Sequence, residues 1–133
     1  MPTFKQEIVI RENYLDLFGH MNNATYLELF EETRWDFLVG AGFTTAEIQA
    51  TNTGPVILEC TIKFMRELRA RDKVTVTVES MEYKDRVGKL RQQMIKSDGT
   101  IACEAIFTYG LFDTKTRKLV LPTPAWKKAL GLE

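Results

Sequence analysis

The chain has a single histidine and two cysteines, Cys60 and Cys103, with no Cys-x-x-Cys spacing. So few soft ligands rule out a zinc centre, and no metal site is expected. Both cysteines stand in apolar runs and read as reduced core thiols of a cytoplasmic protein. No apolar run approaches the roughly 20 residues that span a bilayer, and the charged N-terminus lacks a secretory apolar region, so no membrane partner is expected. Lys plus Arg equals Asp plus Glu, 18 of each; zero net charge argues against a nucleic-acid partner held by electrostatics. That balance hides an asymmetry. Residues 1–60 carry three basic side chains against nine acidic ones, and residues 61–133 carry fifteen against nine. The basic half offers local phosphate contacts or, equally well, solvated charge on strands. Gly-x-Ser-x-Gly, the P-loop, Gly-x-Gly-x-x-Gly and His-Glu-x-x-His are all missing, which removes the usual nucleophile elbow, phosphate cradle, dinucleotide fingerprint and zinc-protease helix. No cofactor is expected, and any catalysis must rest on carboxylates, backbone donors or His20.

What is present fits one globular domain over residues 1–133, with 44% apolar and 27% charged residues. Thr3–Arg11 alternates as a first strand, and Glu12–Asn22 has the turn formers of a loop. Asn22 and Asn23 are N-cap candidates for the strongest helical pattern in the chain, which stops near Gly40-Ala41-Gly42. Tyr26, Leu29, Phe30, Thr33, Phe37 and Ala41 form a wide apolar stripe, flanked by Leu27 and Leu38. Glu28, Glu31, Glu32 and Asp36 take the other side. Thr44–Gln49 suggests one short helical turn. Val56–Phe64, Lys73–Tyr83, Lys89–Lys96 and Thr100–Asp113 read as strands, the last two joined by the turn Ser97-Asp-Gly-Thr100. Strands so closely spaced pair antiparallel, because parallel crossovers need a dozen or more residues. A further turn leads to Leu119-Val-Leu-Pro and a short terminal helix over Pro124–Leu130. The expected class is α+β, with a long helix on one face of an antiparallel sheet.

Polar candidates concentrate ahead of the helix: Asp16, His20, Asn22, Asn23 and Tyr26 fall within eleven residues. A helix N-terminus presents unpaired N–H groups and about half a positive charge. Such groups stabilise an oxygen that turns negative when a carbonyl is attacked, and a nearby carboxylate can attack directly or activate water. The same residues also suit a plain turn with ordinary caps. Chemistry alone leaves both readings open.

The pattern Asp-x-x-Gly-His-x-Asn-Asn-x-x-Tyr-Leu, continuing through Phe30-Glu31-x-x-Arg34-Trp35, resembles the signature of the 4-hydroxybenzoyl-CoA thioesterase family of hotdog proteins. The likeness is densest from Tyr14 through Asp36, where it is closest to the bacterial long-chain fatty acyl-CoA thioesterases of that family. Weaker similarity runs on through Ile62-Lys-Phe-Met-Arg66 and the order of strands. The resemblance implies a hotdog fold, in which a long central helix is wrapped by a curved antiparallel sheet of five to six strands. It also implies a homodimer or homotetramer joined edge to edge, with active sites at the interface. By position Asp16 matches the catalytic acid, and Asn23 the residue whose backbone N–H polarises the thioester carbonyl. Gly19 matches the loop glycine that lets backbone approach the substrate. His20, Asn22 and Tyr26 take positioning roles toward substrate. Arg66 matches an Arg that follows a strand and suits the CoA phosphates. Met65-Arg66-Glu67 departs there from the more usual Arg-Arg-Pro. Glu31 and Arg34 match as well, and at i,i+3 spacing they read as a helix-face ion pair.

The implied activity is hydrolysis of a medium- to long-chain fatty acyl-CoA to free acid and CoA. Acyl-carrier-protein thioesters are the rival substrates. A non-hydrolytic acyl-CoA-binding hotdog module is the alternative of another class, and a hydratase-like relative is a third.

Overall fold

A computed structural model describes residues 3–132. Six strands form one antiparallel sheet: β1 (Thr3–Val9), β2 (Thr53–Phe64), β3 (Lys73–Lys84), β4 (Val87–Lys96), β5 (Ile101–Asp113) and β6 (Lys118–Val120). Their order is β1-β3-β4-β5-β2, with β6 paired to β5 beside its last residues. The hairpins β3–β4 and β4–β5 follow the expected succession. β2 does not. It crosses to the far side of β5, and β1 takes the place beside β3. The eight residues after β2 make this possible, since they are long enough to leave the sheet plane and return. Among the described residues, no helix is long and apolar enough to cross a membrane.

Helix α1 (Asn23–Gly40) starts where the Asn22 side chain, in extended backbone, accepts the Ala24 N–H at 2.8 Å. It ends where the Phe43 N–H reaches the Leu38 carbonyl past Gly42, whose φ of +91° suits a residue without Cβ. Its buried residues are Tyr26, Leu29, Phe30, Thr33 and Leu38; Ala41 is exposed, so Leu38 closes the stripe instead. The acidic side faces solvent as expected. The helix lies across the whole sheet. Phe37 meets Phe4 of β1, Phe30 meets Phe107 of β5 and Tyr26 meets Phe64 of β2, at ring separations of 5.7, 6.1 and 5.0 Å. Val74, Val76 and Val78 of β3 supply the alternating inward face beneath it.

Two shorter helices close the ends. α2 (Thr45–Thr51) is capped by Thr44, whose hydroxyl accepts from Glu47 N. α3 (Pro124–Leu130) is capped by Thr123 and starts on a proline, where the missing N–H costs nothing. Its Trp126 is 1% exposed and packs on Phe43 and Tyr109, with its indole N–H on the Tyr83 hydroxyl.

β2 carries a bulge. Ile57 pairs with Tyr109 and Glu59 with Thr108, leaving Leu58 as an extra residue. Before it the odd residues Pro55 and Ile57 face the helix side; after it Ile62 and Phe64 do, and Glu59, Thr61 and Lys63 line the opposite face. A one-residue shift reverses the facing of every later side chain. The same strand places Cys60 in an exposed position, which corrects its reading as a core thiol. Cys103 is buried as expected, and burial pushes its thiol up to about 12.

Candidate active site

The loop before α1 folds into a tight reverse turn. Asp16 N–H bonds the His20 carbonyl at 3.0 Å, and Gly19 N–H bonds the Asp16 carbonyl at 3.1 Å. Gly19 has φ +81°, a backbone state that favours glycine. Leu15 and Met21 bridge across the turn, and Met21 N–H holds the Leu68 carbonyl at 2.7 Å. The turn is thereby tied at one end to its own neighbours and at the other to the segment between β2 and β3. Asp16 uses one carboxylate oxygen locally, with Oδ1 accepting the Phe18 N–H at 2.8 Å. Among the described residues Oδ2 has no hydrogen-bond partner, and His20 Nδ1 lies 4.0 Å away.

A cleft of about 310 Å³ opens beside this turn, lined by Asp16, His20, Asn23, Tyr26 and Arg66 together with Met21, Phe64, Met65 and Glu67. Five of the seven expected site residues therefore share one cleft. Gly19 and Asn22 lie behind its wall: Gly19 shapes the turn, and the Asn22 side chain points at the helix end as its cap. The cap matters to the chemistry. Asn22 Oδ1 takes Ala24 N–H and the Asn22 carbonyl takes Thr25 N–H, while Asn23 N–H has no acceptor among the described residues. An unpaired donor at the positive end of a five-turn helix thus lines the cleft with a half-free carboxylate.

The other residues set the surroundings. His20 stands between two carboxylates without bonding either, with Nδ1 4.0 Å from Asp16 and Nε2 3.9 Å from Glu67. Both distances exceed a hydrogen bond. The exposed ring of Phe18 stacks on it at 5.8 Å. Tyr26 is 4% exposed, and its hydroxyl is pushed up to about 12 chiefly by burial. It stays neutral and forms a wall with Phe64. Arg66 is exposed, and among the described residues its guanidinium bonds only the Met65 carbonyl, whereas Arg69 is held by Glu67 and Arg71 by both oxygens of Glu12. Of these three arginines, Arg66 is the one without a carboxylate.

Glu67 escaped the sequence reading as a site residue. The segment Met65-Arg66-Glu67 is anchored by two N–H bonds from Met65 and Arg66 to one carbonyl, Ala102. That fold-back sets Glu67 opposite His20, and no local pattern signals it. Its carboxyl is held below the usual range, first by the Arg69 hydrogen bond. The expected Glu31–Arg34 ion pair is also absent among the described residues. Arg34 turns inward instead, donating to Gln92 Oε1 at 2.9 Å with its guanidinium 4.3 Å over the Phe107 ring.

Comparison with known proteins agrees with this architecture. The model of the thioesterase-like superfamily matches residues 10–130. The long-chain acyl-CoA thioesterase FadM of Escherichia coli is 31% identical over 113 residues, covering 84% of this chain and 85% of that protein. A chloroplastic acyl-acyl carrier protein thioesterase of Arabidopsis thaliana is 36% identical over 70 residues, covering 53% of this chain and 37% of that protein. Among solved structures, the probable thioesterase YbaW of Escherichia coli superposes with a TM-score of 0.85 at 29% identity, covering 95% of each chain. A Staphylococcus aureus protein in complex with CoA shares the fold with a TM-score of 0.92 at 21% identity, covering 98% of this chain and 83% of that one. With a family match running through turn, helix and sheet alike, the chain belongs to the thioesterase-like superfamily and is a thioester hydrolase of the hotdog fold.

Proposed function

We propose that the protein hydrolyses medium- to long-chain fatty acyl-CoA to free acid and CoA, acting as one hotdog domain over residues 1–133 whose α1 is the central helix of the fold. The observation that carries this is the pairing of the free Asn23 N–H with the free Asp16 Oδ2 along one cleft. The thioester carbonyl oxygen takes the Asn23 N–H, which meets the charge that grows on it. Asp16 Oδ2 then attacks the carbonyl carbon, expelling CoA thiolate and leaving an anhydride for water to open, or it takes a proton from attacking water. His20 and Tyr26 position the substrate, Gly19 shapes the turn, and Arg66 meets a CoA phosphate. The identity to a long-chain acyl-CoA thioesterase supports the substrate class.

An Asp16→Asn variant should lose about a hundredfold to ten-thousandfold in kcat; near-normal turnover would refute the mechanism. Repeated turnover in heavy-oxygen water tests the anhydride form. Label in Asp16 establishes an anhydride opened at the Asp16 carboxyl carbon; water attacking an acyl carbon, of thioester or anhydride, leaves the protein unlabelled.

The similarity to a plant acyl-acyl carrier protein thioesterase favours a second reading, the carrier-protein thioester as substrate. A higher kcat/KM on acyl carrier protein than on CoA with the same chain would establish it. Self-association is part of the proposal. β2 is an outermost strand, and Ile57, Leu58 and Phe64 along it and Met65 just past its end are exposed. An open apolar edge of this length suits a second copy of the chain joined edge to edge, as a dimer or tetramer. Sedimentation of the protein checks it.

A further inference from the structure

α1 and β2 form the two sides of a seam. The Asp16 cleft lies at one end, between Tyr26 and Phe64. At the other end is a second cavity of about 80 Å³, with Glu31, Arg34, Trp35 and Leu38 from α1 and Pro55 and Ile57 from β2 on its walls. Arg34 is eleven residues beyond Asn23, about 16 Å along a helix. The cavity is too small for a whole ligand and large enough for the end of one.

Its lining is mostly apolar, yet it holds two charged groups. Arg34 is fixed from behind by Gln92, a side chain with 0% exposure at the middle of the sheet. Gln92 donates its amide N–H to the Phe30 carbonyl at 3.1 Å, and its amide oxygen accepts from Arg34. Burying a glutamine in a central strand is costly unless both ends are bonded, and here the second bond serves to aim a guanidinium. The Phe107 ring beneath holds the same plane. Among the described residues one guanidinium N–H is taken, by Gln92, so Arg34 lines the cavity with donors to spare. Burial lowers its pKa, and the nearby Glu31 charge acts the other way. Glu31 lines the same cavity without closing an ion pair with Arg34. An apolar pocket with an aimed donor and a separate acceptor is suited to a neutral group that both accepts and donates.

We propose that this cavity is an acyl-tail subsite that reads a hydroxyl on the chain, accepting from Arg34 and donating to Glu31. The proposal rests on the thioesterase reading for the identity of the chain, and its test does not depend on hydrolysis. The probes are S-alkyl-CoA thioethers, made in a series of chain lengths with a methyl, hydroxyl or carboxylate terminus. Their dissociation constants are measured by calorimetry on the full chain. At the length that reaches the cavity, the hydroxyl probe should bind about tenfold to a hundredfold more tightly than its methyl counterpart, as expected for a hydrogen bond to charged groups. Glu31 should make the carboxylate probe weaker than the hydroxyl one. In Arg34→Met the hydroxyl-to-methyl ratio should fall to near one. Equal binding of the two probes at every length, a carboxylate that binds best, or a ratio that survives Arg34→Met would overturn the proposal. If Arg34→Met fails to fold by circular dichroism, Glu31→Leu takes its place: it removes the acceptor from an exposed helix position, and an undiminished ratio there overturns the proposal equally. Hydrolysis of methyl-ended acyl-CoA is assayed separately. Its absence alongside a hydroxyl preference sinks the thioesterase reading alone, and the reverse pattern sinks this one alone.

Discussion

Replacing Asn22 by Ala separates capping from catalysis at the helix start. The side chain makes one bond, to Ala24 N–H at 2.8 Å. The backbone bonds of the same residue, Asn22 N–H to the Tyr14 carbonyl and Thr25 N–H to the Asn22 carbonyl, survive in alanine. The loss is therefore one cap, about 1 kcal/mol. For a chain of this size that is a fall in melting temperature of about 3–5 °C. Asn22→Ser keeps an oxygen that can accept from the first turn and should recover most of the loss. Activity should follow the same order, because the cap frees the neighbouring Asn23 N–H by fixing where the helix begins. Thermal melts and acyl-CoA turnover on the wild type and both variants are the assay. If Asn22→Ser is as stable as the wild type but as inactive as Asp16→Asn, the Asn22 side chain touches substrate and the capping account is wrong.

Three further outcomes follow from the packing. In the native protein a thiol reagent should modify Cys60 ahead of Cys103, which burial protects until denaturant is added; equal rates would refute the assigned burial. Burial raises the Tyr26 hydroxyl from 10.0 to about 12, and Tyr109 and Tyr83 are raised for the same reason. A folded state that holds its protons more tightly is fully favoured below about pH 10 and loses that advantage as pH climbs toward 12. Melting temperature should fall over that window, less steeply in Tyr26→Phe, and an identical alkaline limb in the variant would count against the argument. Gly88→Ala should cost about 1–3 kcal/mol by urea titration. Its Cβ would collide with the Tyr83 ring and lie 3.0 Å from Tyr109, and Tyr83 is pinned through its hydroxyl by Trp126. An unchanged midpoint would mean that the ring yields freely.

The helix was legible in the sequence because its apolar stripe, asparagine cap and glycine stop all agree, and α1 runs from Asn23 to Gly40. The strands after it were legible through alternation and turn chemistry. Their neighbours were not. Alternation says which side chains share a face and nothing about which strand lies alongside, so the move of β2 to the far side of β5 went unread. Arg34 shows the same limit at one residue. Its spacing from Glu31 satisfies a helix-surface rule, but the rule holds only where solvent is on that side, and a buried glutamine 58 residues away competes for the guanidinium. Asp16, His20, Asn23, Tyr26 and Arg66 were singled out by motif, and they line one cleft. Glu67 joins them through a fold-back anchored on a distant carbonyl, for which the chain carries no local mark.

The bulge at Leu58 makes β2 a phase-shifting element. Upstream residues count off one parity to reach the Arg34 cavity, and downstream residues count off the other to reach the Asp16 cleft. Substitutions along the strand act one position at a time, but deleting Leu58 would put both halves on one parity. Pro55, Ile57, Ile62 and Phe64 would still share the helix face, now in unbroken alternation. The extra residue lets two halves that are out of phase in the sequence face the same side of the sheet, and it adds a local twist between the two ends of the seam.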